Sequence, residues 1–72
     1  MRWANNRVVE HLTDRELLVL RYLPTMLKAG EIASDLYLSV FTVKSHLRSI
    51  YRKLDVTNRK DAVDRARTMN LI

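Results

Sequence analysis

The amino-acid sequence predicts an all-α domain of four helices, and three observations predict it. From Leu12 onward the apolar residues recur at helical spacing rather than in alternation. Thr13, Ser39 and Asn58 each stand where a helix N-cap is wanted, immediately before such a periodic stretch. One Gly and one Pro leave too little turn chemistry for an all-β chain, or for a loop that cradles phosphate through glycine amides.

Residues 1–11 read as a leader or linker stub without a clear period. A second reading has Trp3 and the pair Val8-Val9 docking on the helices at the edge of the core. Residues 12–72 form the folded domain. In its first helix, Thr13-Asp14-Arg15-Glu16 fits a capping box, and Leu17, Leu20 and Leu23 make an apolar stripe widened by Val19. Pro24 removes an amide donor and disfavours helix in the residue before it, so this helix is expected to end near Leu23.

A shorter second helix fits Ala29 to Tyr37, with Ile32, Ala33 and Leu36 on one face. Its start is weakly marked, because Lys28 is no capping residue and Gly30 is costly inside a helix. Ser39 caps the third, Val40 to Leu54, where Val43, Leu47, Ile50 and Leu54 face the core. Only Leu38 separates Tyr37 from the Ser39 cap, so the two helices cross steeply as a helix-turn-helix. Asn58 caps a fourth helix from Arg59 to about Met69, with Ala62, Val63, Ala66 and Met69 as its apolar face and Asn70 as its stop.

Composition narrows the function. Thirteen Lys and Arg against eight Asp and Glu give a net charge of +5, and 47% hydrophobic residues suffice for a core. A domain this small buries only about 60% of its unfolded surface. There is no Cys, hence no disulfide and no thiolate chemistry. No apolar run reaches the roughly 20 residues of a membrane span, and the N-terminus lacks the apolar region of a signal peptide. A cytoplasmic location is therefore expected.

The third helix holds the chemistry. Turned away from its apolar stripe are Lys44, Arg48 and Arg52 at i, i+4 and i+8, flanked by Ser45, Ser49 and Lys53, with no acidic residue between Val40 and Leu54. Like charges four apart cost a helix about 0.2–0.5 kcal/mol per pair, a repulsion that an anionic partner relieves. A solvated face that only keeps the chain soluble is the plainer explanation. The helix pair in front of it and the absence of acid favour a DNA major groove.

From Leu12 to Ile72 the sequence resembles the LuxR-type DNA-binding domain of bacterial transcription regulators. The resemblance lies in Leu12-Thr13-Asp14-Arg15-Glu16, Glu31-Ile32-Ala33-Ser34-Asp35-Leu36, Leu38 through Leu47, Ile50-Tyr51-Arg52-Lys53-Leu54 and Asn58 through Val63. It implies a four-helix LuxR-type helix-turn-helix domain that dimerises through its fourth helix and binds inverted or direct half-sites. It implies base reading by Lys44, Ser45 and Arg48, phosphate contact by Thr42, Arg52 and Lys53, and a dimer contact around Ala62, Val63 and Ala66. Two departures from the family pattern stand out: Met26 where Gly is usual, and Lys28-Ala29 in place of a Ser/Asn-like pair. The connection Leu23 to Leu27 is similar to that of the large maltose-activator-type regulators. The LuxR-type resemblance implies that a receiver or ligand-binding domain usually precedes this module, so the chain is expected to be a cut-out domain or a free-standing small regulator.

Other chemistries fit poorly. His46 at the edge of the stripe and His11 in the leader make no metal set without Cys, so no metal and no cofactor is expected. No nucleophile motif is present, and Asp35, Asp61 and Asp64 read as caps and solvated faces, so the chain is not expected to be an enzyme. Phe41 is expected to cover the turn near Tyr37 rather than touch a thymine methyl. Tyr22 and Tyr51 are expected at core edges with wet hydroxyls, and Met69 is a candidate partner contact. The function expected is sequence-specific binding of double-stranded DNA by a homodimeric regulator, with RNA polymerase a further partner. The alternative is a helical protein-interaction module that keeps the fold and binds an acidic protein partner.

Overall fold

The computed structural model describes residues 12–72. The leader assigned to residues 1–11, with Trp3, Val8-Val9 and His11, lies outside the described residues. Among the described residues there are four helices and no strand.

Helix α1 spans Asp14–Leu20. The Thr13 hydroxyl accepts the Glu16 N–H at 3.1 Å, and Glu16 Oε1 accepts the Thr13 N–H at 2.9 Å, which is the expected capping box. The helix closes before Leu23, because the amides of Tyr22 and Leu23 turn to the carbonyls of Val19 and Leu20. These i−3 bonds tighten the chain into a 3₁₀-like turn before Pro24 is reached.

Helix α2 spans Ala29–Leu36. With no capping side chain at Lys28, Glu31 Oε1 reaches back and accepts the Lys28 N–H at 2.8 Å. Helix α3 spans Val40–Leu54, with Ser39 Oγ accepting the Thr42 N–H at 3.0 Å. Helix α4 spans Arg59–Thr68, and Asn58 Oδ1 accepts the Asp61 N–H at 2.9 Å. Thus α2 and α4 each end one residue before the sequence reading placed them.

The three later helices stop in the same way. Tyr37, Asp55 and Asn70 take the left-handed conformation with φ of 58, 59 and 60°. The next amide then bonds back five residues: Leu38 to Ala33 at 2.9 Å, Val56 to Tyr51 at 2.9 Å and Leu71 to Ala66 at 2.8 Å. Each is a Schellman ending, and the residue after each left-handed position is apolar and packs on the core. Asn and Asp tolerate this conformation, whereas Tyr37 holds it against a steric cost. Docking of Leu38 offsets that cost and fixes the turn between α2 and α3.

The core lies around α3, which packs against each of the other three helices. Val19, Leu20, Ile32, Val43, Ile50 and Leu54 are fully buried, and Leu47 is half-buried against them. The turn after α1 is tied to α4 by Arg59, whose Nε donates to the Leu23 carbonyl at 3.0 Å. Its Nη2 donates to the carbonyls of Tyr22 at 3.2 Å and Thr25 at 2.9 Å. These carbonyls lie in the turn beyond the end of α1, where the Tyr22 oxygen also accepts the Thr25 N–H at 3.1 Å. Tyr22 donates its hydroxyl to Asp35 Oδ2 at 2.5 Å, joining the same turn to α2. No helix among the described residues is long and apolar enough to cross a membrane.

Candidate nucleic-acid interface

Helix α3 has two opposed faces because its apolar and polar residues are offset by half a turn. Val43, Ile50 and Leu54 point into the core, while Phe41, Lys44, Ser45, Arg48 and Arg52 are exposed. The exposed set falls at i, i+3, i+4, i+7 and i+11, one continuous stripe along the helix. It brings together the three expected base readers and one of the three expected phosphate contacts. Thr42 lies at the margin, half-buried, with its hydroxyl accepting from Ser39 Oγ at 2.9 Å.

Lys53 sits elsewhere. Its ammonium donates to Glu16 Oε1 at 2.8 Å, and the side chain is only 21% exposed. Ser49 Oγ donates to the other oxygen, Glu16 Oε2, at 2.5 Å. Glu16 is thus buried at the joint between α1 and α3, accepting from Thr13, Ser49 and Lys53 together. Burial opposes its ionisation, but the bonds from Lys53, Ser49 and Thr13 outweigh burial and bring its pKa from 4.5 down to about 2. The helix that is acid-free in sequence is therefore partly neutralised in space. Three of its four cations, Lys44, Arg48 and Arg52, are left on the exposed stripe.

The aromatic residues at the turn also differ from expectation. Phe41 does not cover the turn: it is 80% exposed, and Tyr37 is 95% exposed. Neither packs into the core, whereas Leu38 between them in sequence does. On α4, Ala62 and Ala66 are fully buried in the chain's own core, and Val63 is half-buried. Of the three residues assigned to a dimer contact, Val63 has accessible surface to offer. His46 is half-buried, and no group of three or more metal-ligating side chains is assembled among the described residues.

The capping role of Glu16 and the place of Arg59 at the start of α4 are legible in the sequence, whereas the bonds of Glu16 to α3 and of Arg59 to the turn after α1 are not. A buried acid is signalled by its spacing, three, four and seven residues before the buried Val19, Leu20 and Leu23. Nothing local marks Ser49 and Lys53 as its partners, which lie 33 and 37 positions away.

A family profile described as "Bacterial regulatory proteins, luxR family" matches residues 10–66. The chain is similar to the nitrate/nitrite response regulator protein homolog of Haemophilus influenzae, with 47% identity over 51 residues, 71% of this chain and 24% of that protein. It is also similar to the HTH-type transcriptional regulator MalT of Yersinia enterocolitica, with 38% identity over 58 residues, 81% of this chain and 6% of that protein. Among solved structures it resembles the response regulator ChrA of a heme-sensing two-component system. That match has a TM-score of 0.81 and 43% identity, and covers 85% of this chain and 30% of ChrA. The chain therefore spans less than a third of each of these proteins.

Proposed function

The chain belongs to the luxR family of bacterial regulatory proteins, as a DNA-binding helix-turn-helix domain of a transcription regulator, and from that premise we propose that α3 enters the major groove of double-stranded DNA and reads a half-site. The observation that carries this reading is the exposed stripe of Lys44, Ser45, Arg48 and Arg52, set opposite the buried stripe of the same helix. Lys44 and Arg48 present donors to guanine O6 and N7, Ser45 bonds either strand's base edges, and Arg52 and Thr42 approach phosphates. Lys53 acts one step back: its bond to Glu16 holds α3 against α1 and so fixes the angle at which the stripe is offered.

In this reading the domain works in the cytoplasm as a homodimer through α4, with Val63 at the contact and Ala62 and Ala66 as small core residues beneath it. RNA polymerase is a further partner at the promoter. Most of the affinity comes from phosphate neutralisation, so binding weakens steeply with salt.

The test begins with selection of bound sequences from a random duplex pool. On the selected duplex, Arg48→Ala is expected to lose discrimination at one base pair, by roughly 1–3 kcal/mol. Arg52→Ala is expected to weaken selected and random duplexes alike and to make the salt slope shallower by about 0.9. Equal losses on both duplexes for Arg48→Ala would remove its reader role. Absence of any shift with random duplex at low salt would favour the interaction module that binds an acidic protein.

A further inference from the structure

We propose that Phe41 is a fourth reader on α3, one that selects thymine through its C5-methyl group. The inference rests on the groove-binding reading above and names one determinant of its sequence preference.

Phe41 is the second residue of α3 and is 80% exposed. No structural task accounts for it. Ser39 caps the helix, Val43 supplies the first buried side chain, and Leu38 closes the turn. Phe41 lies three, four and seven residues before Lys44, Ser45 and Arg48, so it continues their stripe toward the N-terminus of the helix. Its companions decide what lies against it. A surface that meets Lys44 and Arg48 is anionic, and the apolar group that an anionic major groove displays is the thymine methyl. The first turn of a helix seated in the groove is also the part that approaches base edges. Seven residues of helix span about 10.5 Å, which places the thymine within about three base pairs of the base read by Arg48.

The experiment uses the duplex obtained by selection, with each dT replaced in turn by dU, which removes the methyl group and leaves the pairing edge intact. For the wild-type chain one such replacement, within about three base pairs of the Arg48 position, is expected to weaken binding roughly three- to fivefold, the effect of losing one buried methyl. Phe41→Ala and Phe41→Asn should bind the dT and dU duplexes alike at that position while keeping the Arg48 preference. Thermal melts of both variants should match wild type, since an exposed side chain is being shortened. Indifference of the wild-type chain to every dU replacement overturns the role of Phe41 and leaves groove binding intact. So does a dT/dU difference that survives in both variants. Failure to select any sequence overturns groove binding and the Phe41 role with it.

Discussion

Replacing Glu16 by Gln keeps the shape of the side chain and removes the charge that Ser49 and Lys53 were arranged around. In the native chain that carboxyl titrates at about 2 rather than 4.5. At 1.36 kcal/mol per unit, the difference is worth about 3 kcal/mol of stability for the ionised form. A chain of this length has roughly 4–11 kcal/mol in all, so the loss is a large share. It agrees with the ~3–5 kcal/mol lost when one member of a buried ion pair is removed. With a urea slope of about 1–1.5 kcal/mol/M for so small a domain, the midpoint at pH 7 should fall by roughly 2–3 M.

The pH dependence separates this cause from simple damage to packing. The folded pKa of Glu16 is depressed, so its contribution is fully present above the unfolded value and is lost as pH falls through the folded one. The gap between wild type and Glu16→Gln should therefore be constant above about pH 5 and close toward zero by about pH 2. Urea titrations of both proteins at several pH values measure it. A gap under about 0.5 kcal/mol at pH 7, the usual size of a neutral surface change, would refute the account, and so would a gap that is the same at pH 7 and pH 2.5.

Two further stability effects follow from single positions. Arg59→Ala removes three bonds to the carbonyls of Tyr22, Leu23 and Thr25 and should cost about 1.5–3 kcal/mol by denaturant titration. Arg59→Lys should not restore it, because an ammonium cannot reproduce the planar fork. Gly30→Ala should stabilise α2 by about 0.5 kcal/mol, since the added Cβ meets nothing within 4 Å and the unfolded chain loses freedom. A thermal midpoint that does not rise would count against that estimate.

The candidate site was legible in the sequence where it depends on one helix. A period of 3.6 assigns Lys44, Ser45, Arg48 and Arg52 to one face whatever surrounds them, and they do share an exposed stripe. The same period placed Lys53 beside that stripe and Ala62 and Ala66 on an apolar face. It carries no information on what lies opposite each face. Glu16 draws Lys53 inward, and the core takes Ala62 and Ala66 entirely. Hydrophobicity likewise suggests burial for Phe41, but Leu38 is the turn residue that packs on the core and the Phe41 ring stays outside.

Helices α1 to α4, their caps at Thr13, Ser39 and Asn58, and the charge asymmetry of α3 were determined by the sequence alone, because each is decided within about four residues by backbone hydrogen bonding and side-chain spacing. Contacts between residues far apart were decided only by the tertiary structure. Glu16 meets Ser49 and Lys53 across 33 and 37 positions, and Arg59 reaches the carbonyls after α1 across as many as 37. Such pairs form because packing of the apolar stripes fixes how the helices lie, and only then does a buried carboxylate or a turn carbonyl acquire a partner from a distant helix. The exposed stripe of α3 was written locally, and its net charge and its exposed aromatic were set by the fold.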